Sequence, residues 1–227
     1  MKLLLVAATR TEIEPLSGII SSADPAGTNP RKCFFKGLEL DVLVTGTGIA
    51  ATSFLLGKQY AASRYDFALN LGVAGSFEST FRPGEIVHVV EDQFADLGAE
   101  DGEKFLSVFE IGLEKKDSFP FQSGSLKNNA IIKNQVLNNL RRCRGVTVNT
   151  VHGNSESIRK FLKRTNPEIE SMEGAAFFYA SFLENISCAQ IRAVSNFVEA
   201  RNKEHWNLPL AIANLNKKAV EILNAFS

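Results

Sequence analysis

Phe67-Ala68-Leu69-Asn70-Leu71-Gly72-Val73-Ala74-Gly75-Ser76 decides the fold. The first half is an apolar run of strand length, and the second half is made of small residues. It reads as a buried strand that ends in a small-residue turn at the carboxyl edge of a sheet, where open α/β proteins hold their sites. Two readings of the small half stand together. Its backbone is free to touch a ligand, or it is a tight turn that needs positive φ at glycine.

The pattern repeats outward from this stretch. Leu3 to Ala7 runs into Thr9, and Leu40 to Val44 runs into Gly46-Thr47-Gly48 and an Ala-rich helix ending near Ala62. Ile86 to Val90 follows Pro83-Gly84, Val146 to Val151 leads into His152-Gly153-Asn154, and Ile191 to Val194 is a late strand. Met172, Ala175, Ala176, Tyr179 and Leu183 recur at helical spacing. Ile212, Leu215, Ala219, Ile222 and Phe226 mark a closing amphipathic helix with Pro209 in its first turn. This alternation predicts a largely parallel sheet with helices on both faces. The polar stretch from about Glu100 to Asn129 is expected to be mostly loop.

With 227 residues, 44% hydrophobic and 22% charged, the chain has globular composition and suits one sizeable domain or at most two small ones. A formal net charge of zero argues against nucleic acid or an acidic membrane surface as partner. No apolar stretch nears transmembrane length, and the run after Lys2 is too short for a signal peptide. Cys33, Cys143 and Cys188 form neither a metal-type pair nor a disulfide framework, as expected of reduced thiols in a cytoplasmic protein.

Several residues invite a chemical reading. Arg192-Ala193-Val194-Ser195-Asn196 is a buried run ending in two polar residues. The planar amide of Asn196 suits the N7/O6 edge of a 6-oxopurine, or it ties two loops together in the interior. Glu12, three residues after Thr9, completes a capping box or serves as a general base at the end of the first strand. Glu173 opens a helix, where an acid complements the dipole or holds a cis-diol. Gly46-Thr47-Gly48-Ile49-Ala50-Ala51 matches G-x-G-x-x-A. Its candidate acid, Asp66, precedes the next strand and so lies at the wrong end of the sheet for a dinucleotide ribose. His88, His152 and His205 lack metal-ligand spacing, so neither metal nor cofactor is expected. His205-Trp206 suits a rim or lid.

In order along the chain stand Glu12, Gly46-Thr47-Gly48, Asn70-Leu71-Gly72-Val73-Ala74-Gly75, Met172-Glu173-Gly174-Ala175-Ala176 and Arg192-Ala193-Val194-Ser195-Asn196. Together they resemble the nucleoside phosphorylase and nucleosidase superfamily over nearly the whole chain, in outline the methylthioadenosine/S-adenosylhomocysteine nucleosidase branch. Phe94-Ala95-Asp96-Leu97-Gly98-Ala99-Glu100-Asp101-Gly102 and Ser195-Asn196-Phe197-Val198-Glu199-Ala200-Arg201-Asn202 look most like the futalosine hydrolase family of the menaquinone pathway. The resemblance implies an α/β fold, a single-domain three-layer sandwich over residues 1–227 with a mostly parallel mixed sheet flanked by helices.

The same resemblance implies roles. Glu12 activates water, Met172 and Glu173 bind ribose, and Arg192 stands near the water and sugar. Asn196 replaces an aspartate that adenine-specific members use at N7. An amide that accepts from N7–H and donates to O6 favours hypoxanthine over adenine. Val73 stands where the adenine branch often carries serine, so that polar role is not carried over. Ala74, Gly75 and Ser195 complete the expected substrate-binding set, with Arg201, and also His205, as hypothetical partners of a remote substrate carboxylate. Phosphorylases place an arginine just before the glycine turn. Here Ala68-Leu69-Asn70 stand there and Arg10 is isolated, so water is the expected nucleophile. The implied reaction is hydrolysis of the N-glycosidic bond of futalosine to hypoxanthine and dehypoxanthine futalosine. A homodimer or higher homo-oligomer is expected, with the Phe94 to Phe105 segment available to a neighbouring subunit's pocket. The alternatives are a nucleosidase for methylthioadenosine, S-adenosylhomocysteine or another purine nucleoside, and a non-catalytic nucleoside- or dinucleotide-binding protein.

Overall fold

A computed structural model of the chain describes residues 1–22, 24 and 27–227. The elements in order are β1 (Lys2–Ala7), α1 (Arg10–Ser17), β2 (Ser21–Ser22), β3 (Arg31–Phe35), β4 (Leu38–Val44), α2 (Ile49–Ala62), β5 (Phe67–Ser76) and β6 (Ile86–Asp92). They continue with β7 (Gly98–Asp101), β8 (Lys104–Ser107), β9 (Leu126–Lys127), α3 (Gln135–Asn138), β10 (Arg141–Thr147), α4 (Ser155–Arg164) and β11 (Ile169–Ser171). The last are α5 (Gly174–Leu183), β12 (Cys188–Phe197) and α6 (Leu208–Asn224), with a 3-10 turn at Lys203–His205 between them.

The main sheet is mixed and runs β11-β10-β6-β12-β5-β1-β4-β3-β2, with β9 on β6. Strands β12, β5, β1 and β4 are mutually parallel, so their carboxyl ends share one edge. β11 also pairs antiparallel with β5, which closes β5, β12, β6, β10 and β11 into a ring.

Alternation along β1 assigns the layers. Leu3, Leu5 and Ala7 face Ile13 and Leu16 of α1 and Leu215 and Ile222 of α6. Leu4 and Val6 face the other way, onto Leu56 and Tyr60 of α2 and Phe177 and Phe178 of α5. Each such side chain contributes roughly 1.5–3 kcal/mol by leaving water. Inside the ring, Ala74, Val87, Val89, Cys143, Ile169 and Val194 pack with Phe81.

Three local expectations change. The small half of β5 is strand through Ser76, and neither Gly72 nor Gly75 adopts positive φ, so the tight-turn reading fails. Pairing with β12, across a bulge at Ser195, and with β11 at Gly75 and Ser76 holds the stretch extended. The strand expected over Val146 to Val151 begins at Arg141 and ends at Thr147, because its partner β11 is only three residues long. Within the 100–129 stretch, β7 and β8 form an antiparallel hairpin, and the rest is turns apart from short β9. The helix α4, capped by the Asn154 side chain, was not expected, although Ile158, Phe161 and Leu162 stand at helical spacing. Among the described residues, no helix is long and apolar enough to cross a membrane.

Candidate active site

A cleft of about 400 Å³ opens at the shared carboxyl edge of β1, β5 and β12. Its wall is formed by Ala8, Thr9, Thr11, Glu12, Thr47, Val73, Ala74, Gly75, Val151, Glu170, Ser171, Met172, Glu173, Ser195, Asn196, Trp206, Leu208 and Ile212. Of the expected site residues, Glu12, Ala74, Gly75, Met172, Glu173, Ser195 and Asn196 come together here.

Glu12 satisfies both of its readings. The Thr9 backbone N–H and hydroxyl donate to Oε2 at 2.9 and 3.0 Å, and the Glu12 N–H donates back to the Thr9 hydroxyl, so the capping box is real. Oε1 accepts from the Val73 N–H at 3.1 Å. The carboxylate is therefore held by the end of β1 and by the backbone of β5 at the cleft wall. Gly72 explains how β5 can pass so near. A Cβ there would lie 3.2 Å from Glu12 Oε1 and 3.3 Å from Arg192 Nη1. Gly72 of β5 serves close approach to Glu12 and Arg192 rather than a turn.

Arg192, expected near the water and sugar, does not line the cleft. It is fully buried behind Gly72, and Nη1 donates to the Ile191 carbonyl at 3.1 Å while Nε has no partner. Burial disfavours its charge, and the nearby carboxylates of Glu173, Glu12 and Asp92 favour it.

Asn196 is oriented by its neighbours. Nδ2 donates to the Phe197 carbonyl at 2.8 Å, and Oδ1 accepts from the Ser195 hydroxyl at 2.7 Å. A carbonyl can only accept, so the amide cannot turn over without losing that bond. One N–H and one oxygen lone pair remain.

Glu173 sits under the Gly46-Thr47-Gly48 turn. The Gly48 N–H donates to Oε1 at 2.9 Å, with Gly48 at φ 95°. The glycine motif grips a carboxylate of its own chain, and Thr47 reaches the cleft. Burial raises the Glu173 pKa, held back by Arg192 and the Gly48 N–H. Gly174 serves the interior. A Cβ there would lie 2.2 Å from Asp92 Oδ2 and 2.3 Å from Gln190 Oε1, so its smallness makes room for a buried polar pair.

Two expected carboxylate partners fall outside the cleft wall. Arg201 places its guanidinium 5.3 Å from the Trp206 ring, and Trp206 itself lines the cleft. His205 Nδ1 pairs with Glu199 at 2.5 Å. Arg10 lines a separate groove with Glu14 and Arg31. The residue that sequence reading missed is Glu170, buried in β11 and paired with His152. The only sequence signal was an acid in the middle of a short buried strand. Among the described residues, the charged side chains at the cleft wall are Glu12, Glu170 and Glu173, without a cation. No group of three His, Cys, Asp or Glu side chains there is arranged to hold a metal ion.

The model of the phosphorylase superfamily matches residues 2–226. The chain belongs to the phosphorylase superfamily. Among superfamily relatives, a futalosine hydrolase of Thermus thermophilus is 29% identical over 194 residues, 83% of each chain. A futalosine hydrolase of Acidothermus cellulolyticus is 25% identical over 95% of this chain and 87% of its own. A solved methylthioadenosine/S-adenosylhomocysteine nucleosidase of S. pneumoniae superposes with a TM-score of 0.82 at 16% identity over the whole of both chains. The futalosine hydrolase of Helicobacter pylori gives 0.78 at 15% identity over 99% of this chain and 98% of that one. These likenesses show the superfamily fold, a mixed sheet flanked by helices. For a superfamily member the charge of the cleft is informative. Among the described residues, a phosphate nucleophile at this cleft wall would meet three carboxylates and no arginine.

Proposed function

We propose that this chain hydrolyses the N-glycosidic bond of futalosine, releasing hypoxanthine and dehypoxanthine futalosine. The observation that carries the proposal is the shared cleft of Glu12 and Asn196, with glutamates as its only charged lining among the described residues. The names of the relatives above support the substrate.

Departure of the base leads, and positive charge develops on the ribose ring. Glu12 orients water and takes its proton, a contribution of about 10²–10⁴-fold. Glu173 and Met172 hold the sugar, so the anomeric carbon stays aligned with that water. Asn196 gives its remaining N–H to O6; as the C–N bond breaks N7 takes a proton from solvent, the remaining Oδ1 lone pair accepts from that N7–H, and Glu12 returns the proton of the attacking water to solvent. Arg192, from behind Gly72, favours the charged form of Glu173 as positive charge gathers nearby. Arg201 takes a remote carboxylate of the substrate beyond the rim, a reading supported by its guanidinium lying beside Trp206 of the cleft wall. Residues 1–227 act as one unit, in the cytoplasm and as a homo-oligomer, with the β7–β8 hairpin available to a neighbouring subunit.

Assay of the purified chain with futalosine, inosine and methylthioadenosine tests the proposal. Hypoxanthine release from futalosine is expected to be fastest. Faster adenine release from methylthioadenosine would overturn it and favour the adenine-specific branch.

A further inference from the structure

Glu170 has no part in the chemistry above, yet it is a buried carboxylate at the cleft wall. Strand register explains its placement. Gly75 pairs with Glu170 of β11 on one side and with Asn196 of β12 on the other. Residues paired across neighbouring strands project from the same face. The carboxylate and the amide therefore share a face, with a glycine between them. A Cβ at Gly75 would lie 2.9 Å from Val198 Cγ2, 3.4 Å from Asn196 Nδ2 and 3.7 Å from Glu170 Cγ, so only glycine lets these side chains close on the strand, and Gly75, Glu170 and Asn196 all line the cleft. His152 fixes the carboxylate: its backbone N–H donates to Oε1 at 3.0 Å, and Nδ1 meets Oε2 at 2.7 Å. An ionised carboxylate offers about four lone-pair sites, so accepting capacity remains.

We infer that Glu170 reads the N1–H of a 6-oxopurine held by Asn196 and so sets the preference of the site for an oxygen-bearing base. The inference rests on the proposed nucleosidase reaction and deepens it at the base. Such a base presents N7, O6 and N1–H in sequence along one edge. Asn196 takes the first two, and the acceptor-only carboxylate takes the third. A 6-aminopurine turns a bare N1 acceptor toward the same carboxylate, and two buried acceptors face to face stay unpaired.

Calorimetric binding of hypoxanthine, 1-methylhypoxanthine and adenine to the purified chain tests this. Wild type is expected to bind hypoxanthine at least about 10-fold more tightly than either of the others. Glu170→Ala should weaken hypoxanthine roughly 10- to 100-fold and bring 1-methylhypoxanthine within about threefold of it. Glu170→Gln, equal in size and able to donate, should move the adenine-to-hypoxanthine ratio toward adenine by about 10-fold or more. His152→Ala should keep the discrimination against N1 methylation. Equal wild-type affinity for hypoxanthine and 1-methylhypoxanthine overturns the inference with no variant needed. Loss of discrimination in His152→Ala as large as in Glu170→Ala also overturns it, since the pair would then only brace a loop. The two levels fail separately. A chain that cleaves futalosine but ignores N1 methylation loses the Glu170 role alone. A chain that discriminates at N1 but cleaves no nucleoside loses the reaction alone.

Discussion

At the scale of single residues, Glu12 carries two tasks with one carboxylate. Oε2 caps α1 through Thr9, and Oε1 faces Val73 at the cleft wall. Glu12→Gln separates them, because an amide still accepts a hydrogen bond but cannot take a proton from water. Turnover is expected to fall by about 10²–10⁴-fold. Hypoxanthine binding should persist, and stability should drop by about 1–3 kcal/mol, because the amide NH2 would face either the Thr9 or the Val73 N–H. Undiminished turnover of the folded variant, measured by base release beside a thermal melt, would leave Glu12 as a cap alone. Glu12 was legible because its partner Thr9 is three residues away, and Asn196 was legible as the polar end of an apolar run. Glu170 was not, since its meaning depends on β11 closing against β5, a pairing across more than ninety residues. The position of Arg192 behind Gly72, rather than in the cleft wall, was not legible, because sequence does not say how closely β5 passes it.

At the scale of elements, two buried polar contacts set the positions of helices around the cleft. The first joins α1 to α6. In a regular helix the Leu16 N–H would bond to the Glu12 carbonyl. Here Leu16 N–H donates to Asn216 Oδ1 at 3.0 Å, and Asn216 Nδ2 donates to the Glu12 carbonyl at 2.8 Å. The amide of α6 thus stands inside the hydrogen-bond ladder of α1, beside Pro15, which has no N–H to give. Asn216→Ala leaves both groups unpaired. The expected loss is about 1–3 kcal/mol of stability, with a lower kcat and a KM nearly unchanged. Denaturant unfolding and steady-state kinetics check this, and unaltered kcat in a destabilised variant would deny Asn216 any influence on Glu12.

The second contact lies under α5. The Ala175 N–H donates to Thr147 Oγ1 at 2.7 Å, Thr147 Oγ1 donates to Asp92 Oδ1 at 2.9 Å, and Gln190 Nε2 donates to Asp92 Oδ2 at 2.8 Å. Burial pushes the Asp92 pKa up to about 7, against the pull of Thr147 and Arg192. The unfolded chain releases that proton near pH 4, and the folded chain keeps it until about pH 7. This group therefore lowers stability as pH rises through that window, by at most about 1.4 kcal/mol per pH unit, and adds no slope above it. Asp92→Asn removes the effect, and a turned Gln190 can offer its otherwise unpartnered Oε1 to the new amide. Melting curves should show the variant gaining on wild type between pH 4 and 7; a constant difference would mean that Asp92 is charged throughout. None of this was legible, since Asp92, Thr147 and Gln190 lie on three strands that only the ring brings together. The sequence did place α1, α2, α5 and α6, where apolar spacing or a cap repeats locally.

At the scale of the whole molecule, the order of strands makes the site. β1, β5 and β12 run in parallel at the centre, so Glu12, the small residues of β5 and Asn196 reach one edge although they are far apart in sequence. Alternating strands and helices made that edge readable. The closure of the ring and the pairing of β11 were not, because a three-residue strand carries too short a pattern. The apolar side chains of Phe54, Leu113, Phe119 and Ile131 stand exposed, which fits the proposed association of subunits. Sedimentation equilibrium should return at least twice the 24.9 kDa chain mass, and a monomer at micromolar concentration would remove the neighbouring-subunit pocket. The central claim is that water, activated in an acid-lined cleft, displaces a 6-oxopurine. Its most direct measurement is base release from futalosine by the purified chain in phosphate-free buffer. The predicted result is steady formation of hypoxanthine at a rate unchanged by added phosphate. No release, or release that requires phosphate, would contradict the account.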